Sequence, residues 1–256
     1  MILYDIIILI SIVFCELKVN FTVFSFLKEI FFPSKVKCII CENELTEKYS
    51  ICSDCLEKFK IVKGQRCKVC LDKINTQGFC ADCLKKRPFY TMLYSPYVYE
   101  SPLKELILKY KTGNNEYLKE YFACIALDSI PEEVLDKCNL ITNVPCSKEK
   151  LKLRGYDQGK VLAKEISKKT SIPYKETLVR LSGEKTARLN KAKRIDSVKE
   201  RYLYCDNVYG QTVLLIDDVC TTGATLRYCS EQLKTAGAKE VFCFTIARTD
   251  KNWLSN

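Results

Sequence analysis

The chain has 256 residues, with 41 Lys plus Arg against 31 Asp plus Glu, a formal charge of +10, sixteen cysteines and no histidine. Without an imidazole there is no Ser-His-Asp triad, no Cys-His pair and no zinc finger with two histidine ligands, so any metal site must use thiolates or carboxylates. At 47% hydrophobic and 28% charged the composition is globular, and the length suits one large or two modest domains.

In chain order, residues 6–14 (IIILISIVF) are almost wholly apolar. Nine residues are too few to span a bilayer, which needs about 20. The start carries Asp5, no Lys or Arg and no small-residue cleavage site, unlike a signal peptide, and Phe14 before Cys15 is unlike a lipoprotein start. The alternatives are a weakly membrane-touching helix or an upstream start. Residues 1–23 are read as an apolar extension, with no stable membrane span and a cytoplasmic location expected. Residues 24–38 (FSFLKEIFFPSKVKC) read as an amphipathic helix leading to the first cysteine pair.

Eight cysteines then form four C-x-x-C pairs, Cys38/Cys41, Cys52/Cys55, Cys67/Cys70 and Cys80/Cys83, separated by 10, 11 and 9 residues. A C-x-x-C turn aims two thiolates at one point, and two turns complete a tetrahedral four-thiolate site, so eight ligands make two structural zinc sites. Iron–sulfur clusters and disulfides use the same residue type, although a disulfide framework needs an exported chain. Sequential pairing of the knuckles is expected, with crossed pairing as the alternative. Residues 24–88 are read as a double zinc-ribbon module, in which segment 40–83 has few long apolar runs and depends on its metals to fold. The other cysteines, Cys15, Cys124, Cys138, Cys146, Cys205, Cys220, Cys229 and Cys243, are scattered and read as small buried thiols; Cys220 stands out by lying in the strongest motif.

Beyond Cys83, residues 91–100 have the aromatic and β-branched character of a strand pair. A helix follows Pro102 with apolar residues at 103, 106, 107 and 110 and closes at Gly113; a second runs from Glu116 to Ser129. Residues 139–145 read as a buried strand, 156–169 as a helix and 174–180 as a strand. Residues 181–193 read as a mobile loop. Residues 212–217 form an apolar strand, 225–236 a helix ended by Gly237, and 240–247 another buried strand. Strands apolar on both faces that alternate with helices predict an α/β domain with a parallel sheet over 89–250.

The most informative segment is VLLIDDVCTTGATL, residues 213–226. It is an apolar strand, two acids, a small-residue loop and a helix start, which at the carboxyl end of a parallel strand makes a ligand crevice. The amides and hydroxyls of Thr221, Thr222, Gly223, Ala224 and Thr225 can wrap a phosphate at the positive end of the helix dipole. Asp217 and Asp218 suit two vicinal ribose hydroxyls, or a magnesium ion carried by a diphosphate, better than a plain turn-capping role. Neither a P-loop nor a dinucleotide fingerprint is present.

This segment resembles the 5-phosphoribosyl-1-diphosphate (PRPP) signature of type I phosphoribosyltransferases. The stretch NVPCSKEKLKLRGYDQGKVLAKEI (143–166) resembles the ComF family pattern of V-P-V-P, a basic segment and R-G-[FY]-N-Q. The cysteine knuckles and the helix ending in Leu108-Lys109-Tyr110 fit the same family, so the resemblance covers about residues 24–249. It implies a parallel-sheet type I phosphoribosyltransferase fold preceded by a double zinc-ribbon module. It also implies that Asp217 and Asp218 bind the ribose and that Cys220, Thr221, Thr222, Gly223, Ala224 and Thr225 bind the 5′-phosphate. A diphosphate loop would include Pro145, Cys146, Ser147, Lys148, Arg154 and Gly155. The chain departs from the pattern in Val144-Pro145-Cys146, in Asp157 for Asn, in Ser197 for Asn and in lacking glutamine over 185–198.

Residues 147–201 hold 17 Lys/Arg against 7 Asp/Glu, a net charge equal to that of the whole chain. The segment reads as a solvated basic face, a diphosphate-neutralising loop using Lys148, Lys150, Lys152 and Arg154, or a nucleic-acid backbone track. Two functions follow. One is Mg2+-dependent binding of PRPP with phosphoribosyl transfer to an acceptor, a glycosyltransferase reaction. The other, implied by the family resemblance, is a non-catalytic role in natural competence. There the protein binds single-stranded DNA through its basic segment and zinc module, alongside a DNA-uptake helicase.

Overall fold

A computed structural model of the chain describes residues 37–44, 51–75, 77–112, 115, 117–181 and 202–250. The expected features at 6–14, at 24–36, in the loop beyond residue 181, at Gly113 and at Glu116 lie outside the described residues. The chain divides into two compact units, residues 1–52 and 53–256.

The knuckles are built by repetition. In the first unit the amide of Cys38 donates to the carbonyl of Asn43 at 2.8 Å, and that of Glu42 to the carbonyl of Cys38 at 2.8 Å. In the second, Cys67 donates to Asp72 at 2.8 Å and Leu71 to Cys67 at 3.0 Å. Glu42 and Leu71 both have positive φ, 63° and 60°, and Lys37–Glu44 and Arg66–Lys73 form matching antiparallel bridges. The same turn is thus drawn twice. The second knuckle of each pair runs into a short helix: α1 (Ser53–Glu57), which holds Cys55, and α2 (Ala81–Lys85), which holds Cys83.

The elements that follow are β1 (Met92–Tyr94), β2 (Tyr97–Val98), α3 (Leu103–Lys111), α4 (Leu118–Ser129), α5 (Glu132–Leu135), β3 (Leu140–Asn143), α6 (Lys148–Arg154), α7 (Gln158–Thr170), β4 (Leu178–Arg180), β5 (Tyr202–Tyr204), β6 (Thr212–Cys220), α8 (Ala224–Thr235) and β7 (Glu240–Arg248). The main sheet runs β1-β7-β6-β3 with every pair parallel, and β2 adds to β7 beyond β1. Central β6 is buried from Thr212 to Ile216, because Val213, Leu214, Leu215 and Ile216 meet a covered layer on each side. On one face, Val213 and Leu215 join Val241 and Cys243 of β7, Leu226, Cys229 and Leu233 of α8, and the second set of knuckle cysteines in one apolar cluster. Helices α4 and α7 pack on each other and against the sheet.

Several elements differ from the sequence reading. The strand pair at 91–100 does not pair with itself; both pieces line the edge of β7. Only Leu178–Arg180 of the 174–180 segment is a strand, antiparallel to β5, while Tyr174 bridges Ile141. Strand β6 continues through both acids to Cys220 because its ladder with β7 runs on to Arg248. Helices α5 and α6 were not expected. Helix α6 buries no residue, so no apolar period marks it; Ser147 caps its start, and Gly155, with φ of 82°, closes it in a conformation that suits glycine. Among the described residues no helix is long and apolar enough to cross a membrane.

Candidate functional site

The carboxyl ends of β3 and β6 open into a cavity of about 330 Å³. Strand β6 delivers Asp217 and Asp218 to its floor, and Thr221 and Thr225 line the rim of the loop that follows. Gly223 sits at φ 74° as the residue before α8, a left-handed turn that brings the chain from strand to helix. Val144, Pro145 and Cys146, following β3, form the opposite wall with Lys150 and Arg154 of α6. The structure therefore gathers the two acids, part of the small-residue loop and the 145–154 segment around one space.

The other residues of the sequence reading sit differently. The side chain of Cys220 is buried in the core, where loss of solvation pushes its thiol up to about 11, so it stays protonated. Thr222 and Gly223 face a smaller cavity behind the loop. The hydroxyl of Ser147 accepts from the amide of Lys150 at 3.2 Å, a helix cap. Lys148 and Gly155 are not among the lining residues; Gly155 shapes the turn after α6.

The R-G-Y-D-Q stretch is chiefly a scaffold. The guanidinium of Arg154 donates to Gln158 Oε1 at 2.8 Å, and Gln158 is buried. The hydroxyl of Tyr156 donates to the carbonyl of Tyr110, and that of Tyr110 to the carbonyl of Gln158 at 2.9 Å, tying α3 to the start of α7. Asp157 spends both carboxylate oxygens: Oδ2 accepts from the amide of Cys146 at 2.9 Å and Oδ1 from that of Lys160 at 3.0 Å. Burial, with Asp157 close by, raises the Cys146 thiol to about 11, so it is not a ready nucleophile.

Sequence reasoning missed Lys111, Tyr99 and Arg180, which line the cavity together with Tyr202. Lys111 Nζ lies 2.9 Å from Asp218 Oδ2. It directly follows the Leu108-Lys109-Tyr110 motif, which was the one signal available. The Arg180 guanidinium lies 5.4 Å from the centre of the Tyr202 ring. Four cations, Lys111, Lys150, Arg154 and Arg180, thus face three acids, Asp157, Asp217 and Asp218. Asp217 is pushed up to about 8, first by loss of solvation and then by the neighbouring charge of Asp218.

The thiolates form two groups, Cys38/Cys41/Cys52/Cys55 and Cys67/Cys70/Cys80/Cys83, with the sulfurs of each group within 4.8 Å of one another. This is the sequential pairing. Sγ of Cys41 and Cys52 are 3.7 Å apart, and those of Cys70 and Cys80 3.5 Å. Zn–S bonds of about 2.3 Å place tetrahedral sulfurs roughly 3.8 Å apart, whereas a disulfide needs about 2.05 Å. The donor sets fit two closed zinc sites, in which the metal fixes the fold and leaves no position open for chemistry.

Residues 27–84 match the Double zinc ribbon domain family, and residues 157–254 match the Phosphoribosyl transferase domain family. The Competence protein ComFC of Bacillus subtilis (strain 168) is 25% identical over 234 residues, covering 84% of this chain and 96% of that protein. The chain is similar to ComFC over most of its length. A second Competence protein ComFC, from Streptococcus pneumoniae, is 22% identical over 228 residues, covering 83% of this chain and all of its own length at 100%. Among solved structures, the glutamine PRPP amidotransferase of B. subtilis aligns with a TM-score of 0.35 and 23% identity, over 50% of this chain and 25% of that one. The chain combines a parallel-sheet phosphoribosyltransferase fold with a double zinc ribbon that has two four-cysteine zinc sites.

Proposed function

We propose that this protein binds PRPP with Mg2+ in the 330 Å³ cavity and transfers the phosphoribosyl group to an acceptor. The observation that carries the reading is the pair Asp217 and Asp218 at the end of the central parallel strand, followed by a left-handed turn into α8 and faced by basic side chains. The two carboxylates accept hydrogen bonds from the ribose 2′- and 3′-hydroxyls. Backbone amides of the 221–225 loop hold the 5′-phosphate at the helix N-terminus. Lys150 and Arg154, on the segment that starts at Pro145, and Arg180 face the diphosphate. A nucleophile forms a bond to the anomeric carbon as the bond to the diphosphate oxygen breaks, and the diphosphate leaves with both electrons. The chain contributes position and charge stabilisation to this step, neither of which needs histidine. Mg2+ would supply further charge neutralisation at the diphosphate, and hard carboxylate oxygens at the cavity floor suit it.

Calorimetric titration of PRPP with Mg2+ tests this. Saturable binding is expected for wild type, weakened at least tenfold in Asp217→Asn/Asp218→Asn. A wild-type protein without saturable binding sinks the reading.

The names of relatives, Competence protein ComFC and DNA utilization protein YhgH, favour a second reading, a role in competence and DNA use; we extend it to binding of single-stranded DNA beside a DNA-uptake helicase. The excess of 17 basic over 7 acidic residues in 147–201 supports it. Binding of an oligonucleotide should then fall steeply with salt, and neutralising Lys148, Lys150 and Lys152 should flatten the slope. An unchanged slope would argue against that surface.

A further inference from the structure

The two zinc centres differ in their surroundings. Cys41 of the first is exposed, while all four cysteines of the second are buried. The second belongs to the same compact unit as the sheet and shares an apolar cluster with it. Two arginines join this centre to the loop at the end of β6. Arg227, in the first turn of α8, donates through Nη2 to Cys83 Sγ at 3.3 Å and through Nη1 to the carbonyl of Lys86 at 2.9 Å. Its own amide donates to the carbonyl of Gly223 at 3.0 Å. Arg248, fully buried at the end of β7, donates to the carbonyl of Cys70 and pairs with Asp72, between the second pair of knuckles. Arg248 is the ladder neighbour of Cys220, and the next residue, Thr249, donates to the carbonyls of Cys220 at 2.9 Å and Thr221 at 3.2 Å. A small cavity lined by Cys70, Asp72, Thr222, Gly223, Arg227 and Arg248 lies between centre and loop.

A zinc ion with four thiolates carries a net charge of about −2. Buried charge of that kind requires a partner, and a guanidinium directed at a ligand sulfur is one. Without the metal the sulfurs lose their common charge centre and Arg227 keeps only its bond to the Lys86 carbonyl, which loosens its hold on the first turn of α8.

We propose that the second four-cysteine centre is an energetically linked part of the phosphate loop, with Arg227 and Arg248 as the positioning residues that couple its metal occupancy to the order of residues 221–225. Linkage makes the effect reciprocal: a ligand that orders the loop retains the metal. The ligand arm of this inference rests on the reading of the cavity above; the loop-order arm does not.

The test uses full-length zinc-loaded protein. Zinc transfer to a chromogenic chelator is followed with and without ribose 5-phosphate, whose binding is measured separately by calorimetry. The Cys38→Ser/Cys41→Ser variant assigns the phase from the first centre. Ribose 5-phosphate is expected to slow release from the second centre about tenfold, leave the first unchanged, and lose this effect in Arg227→Gln at equal metal content. Amide exchange of residues 221–227 in wild type is expected to rise when the second centre is emptied. If ribose 5-phosphate binds without slowing either phase and loop exchange does not respond to zinc, the coupling is wrong. If ribose 5-phosphate fails to bind, the cavity reading falls, and the exchange response alone decides the coupling.

Discussion

At the scale of single residues, two acids that line the cavity, Asp157 and Asp217, do different work. Asp157 stands where the family pattern has Asn, and it accepts two backbone amides from opposite sides. An amide side chain has one acceptor oxygen, so Asp157→Asn should keep the cap on α7 and lose the bond to Cys146. The expected cost is about 1–2 kcal/mol, a drop of roughly 2–8 °C for a chain of this size, read in a thermal melt at fixed zinc. Asp217 is the opposite case. Its carboxyl is raised to about 8 by burial and by Asp218, with Asp157 adding to this and Lys111 opposing it. A raised folded value means that the fold favours the protonated form. Stability is fully present below the ordinary carboxyl value of about 3.9 and is lost as pH rises through about 8. Asp217→Asn should therefore gain stability relative to wild type as urea denaturation is moved from pH 6 to pH 9. A gap independent of pH would mean that Asp217 is already ionised in the folded state.

At the scale of elements, what could be read in advance was what lay contiguous in the chain. Strand β6, its acids and the loop before α8 form one unbroken run, and the cysteine knuckles announce themselves by spacing. Lys111, Arg180 and Arg227 were not legible as site residues, because each reaches its place through tertiary packing from another element. Helix α6 was missed for the complementary reason: it packs no face inward, and Leu153 on it is 86% exposed. Its signals were local, a Ser cap and a Gly stop. The β6–α8 junction makes a sharp prediction. A Cβ on Gly223 would meet nothing nearer than Cys220 Sγ at 3.7 Å, so Gly223→Ala adds no clash and only forces a side-chain-bearing residue to φ 74°. The expected loss is about 1–2 kcal/mol, with weakened PRPP binding by calorimetry. Because Asn tolerates this conformation better, Gly223→Asn should lose less of both.

At the scale of the molecule, the second zinc ribbon is less an appendage than a wall of the main core. Cys67, Val69, Cys70, Cys80 and Cys83 share one apolar cluster with Tyr90, Leu93, Val213 and Leu226. Leu93 of β1 also donates its amide to the carbonyl of Val69 at 2.9 Å. Arg66 and Asp250 close the same seam with an ion pair at 2.5 Å, and Arg248 pairs with Asp72 inside it. A chain beginning at residue 89 would keep every strand of the sheet yet leave this apolar face open to water and Arg248 without its carboxylate, and the loss of that burial is strongly destabilising. Such a fragment is expected to retain α/β circular dichroism, bind 8-anilinonaphthalene-1-sulfonate and melt without cooperativity. A chain beginning at residue 53 keeps the second ribbon, and it is expected to hold about one zinc and melt cooperatively. Equal cooperativity of the two fragments would show that the sheet and its helices suffice alone, and that the ribbon lies on the core without completing it.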